Sequence, residues 1–347
     1  MKLRLKNTPE QIELVKAMGS REASVSKEAT EAFAAFIGPV VNKVLMQAAT
    51  ASAIYTDLPF DEDDSPSIPL DLYHDQGQGH VTTWSQNVAG GLPTSTVEGF
   101  SEMKVATYRL DSAVSFLKRY ARRGRLDVVS KAVERMSNEV LVKQERNAWA
   151  VLLKALGESG NVIDVNETTV AFTLTHLNRL LTAFKRKNTS YAGGSSVETY
   201  GLTDLFVSPE VKQDIRAFAY NPVTNTNTDL PAGVREEIYR GAGTQEIYGV
   251  TIHDLVELGK TQKYQVLFSE FYSSNWNSTN NELIIGLDLT KDAFVRPVAR
   301  QAESGGTFTA MPDDQFLARA DKIGFYGSLE EGRACIDARA IAAVNIY

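Results

Sequence analysis

One stretch governs what this chain can fold into. Between Leu126 and Leu156 the apolar residues Val129, Val133, Met136, Val140, Trp149, Leu152, Leu153 and Leu156 recur at three- and four-residue steps, with polar residues between them. Glu139 and Lys143 stand in the acid-first i,i+4 order that supports a helix. Gly157 follows where a helix C-terminus favours glycine. At 1.5 Å per residue the helix over 126–156 is about 45 Å long. A spine of that length cannot bury its apolar stripe alone, so the rest of the chain must pack along it.

On its N-terminal side, residues 22–50 (EASVSKEATEAFAAFIGPVVNKVLMQAAT) read as helix broken by Gly38-Pro39. Ala29, Phe33, Phe36 and Ile37 fall at helical spacing, so this arm lies on something. Residues 57–101 are polar, with short strand-like pieces around Val81–Trp84. A stretch so long without a core pattern suggests a projecting loop whose partner lies elsewhere. EMKVATYRLDSAVSF then alternates as a strand does. After the spine, LTHLNRLLTAFKRK (174–187) predicts a helix, and YGLTDLFVSPEVKQDIRAFA a buried strand followed by a helix opening at Ser208-Pro209. The last third reads as strands: YGVTIHDLV, YQVLFSE, NELIIGLDL, AFVRPVAR, FLARADKIGFYGSL and CIDARAIAAVNIY. The order is arm, loop, spine helix and a mixed α+β body.

Composition narrows the function. A chain of 347 residues implies two or three packing units. No apolar run is long enough to cross a bilayer, and MKLRLKNTPEQ lacks the apolar core of a secretion signal, so cytoplasmic synthesis and folding are expected. The single cysteine, Cys335, excludes an intrachain disulfide and a cysteine-rich zinc site. A formal charge of -7 argues against a general nucleic-acid coat but leaves room for a local basic patch.

Catalytic motifs fail one by one. DEDDS (61–65) has the Asp-x-Asp-x-Ser spacing of a metal-dependent phosphotransferase, but Pro59 and Pro66 flank it in place of the apolar strand that motif needs. Read as an EF-hand, Pro66 takes the obligatory glycine position and Leu72 that of the bidentate glutamate. His74, His80, His176 and His253 have no metal-ligand spacing and read as ordinary polar loop positions. AGGSS and GAGT lack the closing lysine of a P-loop, and Cys335 sits in an apolar strand pattern. The expectation is a protein that is not an enzyme and takes no cofactor or metal. The basic run FLKRYARRGRL is different: Lys118, Arg119, Arg122, Arg123 and Arg125 crowd the start of the spine helix, where the backbone is already partly positive. A solvated turn, an acidic protein surface and nucleic acid are its three readings. The acidic quartet Asp61, Glu62, Asp63 and Asp64 has no basic partner nearby in sequence.

Taken in order, these segments resemble the tailed-bacteriophage major capsid protein family, the Hong Kong 97-type shell fold. Residues 22–50 are similar to its N-terminal arm, 57–110 to its extended loop over a neighbouring subunit, and 126–156 to its spine helix. TDLFVSPEVKQDIRAF (203–218) resembles a segment of the axial domain. IGFYGSLEEGRACIDARAIAAVNI (323–346) resembles the closing strands, where an Asp-x-Arg-Ala phrase precedes the last strand. The resemblance implies an α+β Hong Kong 97-type capsid fold: an arm at 1–56, an extended loop at 57–110, a peripheral domain at 111–165 and 290–347, and an axial domain at 166–289. It implies self-assembly as hexamers and pentamers into an icosahedral virion head in the host bacterial cytoplasm, enclosing double-stranded DNA without sequence preference and without any membrane. A portal, a separate scaffolding protein and a decoration or cement protein are its expected partners; the scaffold is separate because no long coiled-coil extension precedes the arm. The family's Lys–Asn self-crosslink has no matched residues here. On this reading the quartet 61–64 of one subunit meets the run 118–125 of its neighbour, and Ile341, Val344 and Ile346 pack on the spine helix. An encapsulin-like shell is the alternative of the same fold. A nucleic-acid-binding protein using 118–125 is the alternative of another class, with only Tyr120 interleaved to stack on bases. A phosphatase-type enzyme is the third.

Overall fold

The computed structural model describes residues 8–48, 50, 53–61, 65–69, 102–165, 171–186, 201–217, 245–272, 276–290, 292–300, 308–313 and 321–346. The strand-like pieces at 81–84, His74, His80, Glu62, Asp63, Asp64 and the two glycine-rich turns lie outside them. The chain begins with α1 (Pro9–Met18), which opens on a proline at N1, and α2 (Ala23–Ala48). Next come β1 (Thr56–Asp61), β2 (Ser67–Pro69), β3 (Glu102–Lys104) and β4 (Thr107–Leu117). The short α3 (Lys118–Arg122) leads into the spine, α4 (Leu126–Ser159). There follow β5 (Val162–Val165), α5 (Leu174–Arg186), β6 (Asp204–Val207), α6 (Pro209–Ala217), β7 (Gln245–Ile247) and β8 (Val250–Asp254). The last elements are α7 (Lys263–Phe271), β9 (Glu282–Leu287), β10 (Phe294–Arg300), β11 (Thr309–Asp313), β12 (Lys322–Gly332), β13 (Ala334–Cys335) and β14 (Ile341–Ile346).

Two compact units result. The first takes Met1–Ser67, Lys104–Ala148 and Val295–Ala334. Its organising element is β12, which pairs antiparallel with β4 along its whole length, from Lys322 opposite Leu117 to Gly332 opposite Thr107. The other edge of β12 is shared: β11 pairs from Thr309 opposite Ser328 to Asp313 opposite Gly324, and β10 meets it at Val298 opposite Glu331. β1 adds in parallel to β10. The core joins α1, α2 and the first part of α4 to this sheet, with Phe33 and Phe116 at 5.3 and 6.1 Å from Phe325, ring centre to ring centre. Gly327 is tight: a Cβ there would meet the Phe308 ring.

The second unit takes Ile68–Met103, Trp149–Phe294 and Cys335–Tyr347. Its sheet runs β5-β14-β9-β6-β8-β7. β7 and β8 form a hairpin closed by Tyr248-Gly249, both at positive φ (54° and 75°), as a two-residue turn matched to strand twist requires. Trp149 is fully buried, edge-on to Phe206 at 5.1 Å and 5.7 Å from Tyr264.

The spine prediction holds residue by residue, since all eight apolar positions of 126–156 are buried. Four local readings change. α2 runs unbroken through Gly38-Pro39, because Phe33, Ala34, Ile37 and Val41 keep one buried face on both sides of the pair. YQVLFSE is helix rather than strand, with Tyr264 and Phe268 buried at i,i+4. α4 passes through Gly157 and ends before Gly160, which has the left-handed φ of 66°. And β14 lies inside the second sheet, where Val344 and Ile346 share one core with Leu177, Leu180 and Phe184 of α5 rather than packing on the spine as expected, while strand alternation puts the buried Ile341 on the opposite face.

Gly157 has a different duty from capping. A Cβ there would sit 2.9 Å from the Phe271 carbonyl oxygen, a backbone atom that cannot swing aside. Gly157→Ala therefore sets a propensity gain of about 1 kcal/mol against overpacking of about 1–3 kcal/mol. A lowered urea midpoint is expected; a raised one would show that α4 and α7 do not meet there.

Candidate functional site

The basic run forms the corner between β4 and α4. Lys118 N–H donates to the Asp321 carbonyl at 2.8 Å, fixing the exit from β4, and buried Ala121 pins α3 to the core. Arg122 Nε donates to the Gly19 carbonyl at 2.8 Å. Gly19 closes α1, so the guanidinium caps the partly negative end of that helix. The backbones approach so closely that a Cβ on Gly19 would lie 2.6 Å from Arg122 N. Arg122 Nη2 also lies 3.8 Å from Asp321 Oδ1, an exposed pair worth about 0–1 kcal/mol. Arg119 lies over the Tyr120 ring at 5.0 Å and donates to its hydroxyl at 3.2 Å. Gly124, at φ 62°, turns the chain into α4, whose first turn carries Asp127.

Those contacts answer how cations tolerate the start of the spine. Arg122 has a carbonyl cap, and Arg119 an aromatic face. Arg123 and Arg125 are exposed and make no ion pair among the described residues, nor does Lys118. Asp61 is exposed at the end of β1 and likewise unpaired among them. The other three quartet members lie outside the described residues, so Asp61 alone of the acidic candidates has a place.

A second constellation escaped the sequence reading. Glu331 is fully buried in β12. Its Oε1 accepts from the Tyr108 hydroxyl at 2.8 Å and from Arg333 Nη2 at 3.3 Å, and its Oε2 from Gln144 Nε2 at 3.0 Å. Arg296 Nε lies 3.2 Å from Asp57 Oδ1 and 3.4 Å from Glu331 Oε2, ion-pair distances off the line of a hydrogen bond. Arg333 lies 4.9 Å from the Tyr55 ring centre, and the Tyr55 hydroxyl donates to the Ala148 carbonyl at 2.9 Å. Burial, then the Glu331 charge, pushes the Tyr108 pKa up to about 12. The missed signal was strand parity: Ile323, Phe325, Leu329 and Glu331 share one face of β12, so a carboxylate was due to point inward. Removing it as Glu331→Leu leaves the buried Arg333 guanidinium without its countercharge and Arg296 with the half-exposed Asp57 alone, and should destabilise by about 3–5 kcal/mol. Thermal unfolding of the unassembled chain measures this; a loss under about 1 kcal/mol would mean that the charges are solvated.

The two described histidines, His176 and His253, are structural rather than polar loop positions. His176 is buried in α5, where its Nδ1 accepts from Thr173 N–H at 3.1 Å, closing the helix start as a capping box does. His253 is in β8, 4.7 Å from the Phe206 ring with Nε2 2.6 Å from Asp204 Oδ1. Burial opposes the Asp204 charge, but hydrogen bonds from His253 and Thr203 hold its pKa below the usual range. Burial and then Asp337 push the Cys335 thiol up to about 12. At pH 8 its alkylation should be on the order of a thousandfold slower than that of a free thiol; labelling of the folded chain at the free-thiol rate would contradict this environment. Asp337 also accepts Arg339 N–H at 2.9 Å, so the Asp-x-Arg-Ala phrase is a turn cap entering β14.

No protein-family model matches the sequence, and no curated protein matches it. Solved structures do. The capsid structure of the cyanophage P-SCSP1u superposes with a TM-score of 0.54 at 14% identity, over 86% of this chain and 88% of that one. A structure from Microbacterium phage Oxtober96 gives 0.51 at 12% identity, over 85% and 90%. The capsid of a native GTA particle gives 0.51 at 11%, over 86% and 90%. The chain has the α+β fold of these structures. Among the described residues no helix is long and apolar enough to cross a membrane.

Proposed function

We propose that this chain is the major capsid protein of a tailed bacteriophage. It assembles as hexamers and pentamers into the icosahedral head around double-stranded DNA, and it is not an enzyme. The observation that carries the reading is the shared fold with the P-SCSP1u capsid over most of both chains. The β2–β3 ribbon supports it: its two three-residue strands pair with each other although residues 70–101 separate them in sequence. Such a segment makes sense when another copy of the chain completes its packing. A separate scaffold, a portal and a decoration protein are the remaining partners on this reading, and the virion shell is its location.

The acidic quartet and the basic run form the proposed contact between copies. Arg122 and Arg119 already serve the corner, which leaves Lys118, Arg123 and Arg125 to face Asp61, Glu62, Asp63 and Asp64 of a neighbour. One exposed pair gives about 0–1 kcal/mol, but repetition around a shell multiplies it, and like-charge alignments are rejected. Arg123→Glu with Arg125→Glu should abolish particles in sedimentation and electron microscopy, and Asp61→Lys with Asp63→Lys in the same chain should partly restore them. Absence of rescue would remove this contact. A wild-type chain that stays monomeric with scaffold and portal supplied would remove the capsid reading itself.

A further inference from the structure

The outer face of α4 carries four cations that make no ion pair among the described residues. They are Lys131, Arg135, Lys143 and Arg146, all exposed. At 100° per residue, Lys131, Arg135 and Arg146 fall within about 60° of the helix circumference, and they span about 22 Å of its length. Lys143 flanks them. Between them stand Asn138 and Val142, the latter 44% exposed. Glu139 is the exposed carboxylate in this span, while Glu145 is half-buried and accepts from the Thr50 hydroxyl at 3.0 Å. This is a straight cationic stripe on a chain whose formal charge is -7.

We infer that the stripe binds the phosphate backbone of duplex nucleic acid. The duplex as ligand rests on the capsid reading above; the stripe itself does not. Duplex DNA carries one negative charge per about 1.7 Å of axis, so a 22 Å row of cations meets phosphates along its whole length. Composition points the same way. Cores of protein interfaces are enriched in aromatic side chains and arginine and depleted of lysine; this stripe has no aromatic, and two of its four cations are lysines. Without donors aimed at base edges from a groove-entering element, the contact positions the duplex and reads no sequence.

The test is fluorescence anisotropy of the purified full-length, unassembled chain with labelled 30-base-pair duplexes of unrelated sequence, from 50 to 200 mM salt. Three or four phosphate contacts give a log–log slope of about -3 to -4 and an affinity loss of roughly 40- to 150-fold across that range. The triple variant Lys131→Ala, Arg135→Ala, Arg146→Ala should flatten the slope by about 3, equally for every sequence. The charge-keeping triple Lys131→Arg, Arg135→Lys, Arg146→Lys should retain it. Absence of duplex binding at 50 mM salt, or an unchanged slope in the alanine triple, overturns the inference. So does an alanine triple that folds yet no longer forms particles where the wild type does, since the face would then be a protein contact. Stripe-dependent duplex binding by a chain that never forms particles would sink the capsid reading and leave this inference standing.

Discussion

The first unit depends on burying one carboxylate without leaving it alone. Glu331 sits in β12, the strand with which β4, β10 and β11 all pair, and its partners arrive from β4 through Tyr108, α4 through Gln144 and β10 through Arg296. Asp57 ties β1 to the same guanidinium. A buried ion cluster of this kind adds little net stability compared with apolar packing, but breaking it is expensive. Its value here is register. A one-residue slip of β12 would turn Glu331 outward and put Glu330 inside, where Tyr108, Gln144 and the two arginines are no longer placed to meet it. Glu330 in the true register bonds the Thr107 hydroxyl at 2.8 Å.

How much of this was legible in the sequence depends on the range of the interaction. The spine was plain because periodicity is local and strong: Val129 to Leu156 announce one buried stripe whatever they pack against. Helix α5 and the β6–α6 pair were equally clear, from the amphipathic run and from Ser208-Pro209. YQVLFSE misled because its apolar residues suit a strand by composition, while the spacing of Tyr264 and Phe268 decides for helix only once there is a core to receive them. Gly38-Pro39 misled in the opposite sense, since a local breaker was overruled by apolar faces continuing on both sides. The place of β14 could not be read at all: which of two sheets receives an apolar strand is set by partners such as Leu177 and Leu180, more than a hundred residues away.

The candidate site divides the same way. The concentration of positive charge at 118–125 was evident, but not that Arg122 would cap α1 or that Arg119 would lie on Tyr120, because both depend on tertiary approach. Asp204 with His253, His176 with Thr173, and the protonated Cys335 thiol are each engaged in holding the second unit together. The surface charge, by contrast, is what remains free to meet other molecules, and on α4 and its N-terminal corner it is positive in a chain that is acidic in total. The capsid reading gives such surfaces two kinds of partner, copies of the chain and the enclosed polymer.

Cryo-electron microscopy of particles made from the purified chain tests the central claim most directly. The account predicts closed shells in which averaged density resolves rings of five and six subunits, each fitted by the two units with α4 continuous from Leu126 to Ser159. A discrete small oligomer, an open filament, or shells whose subunits cannot accommodate the β12 register around Glu331 would contradict it.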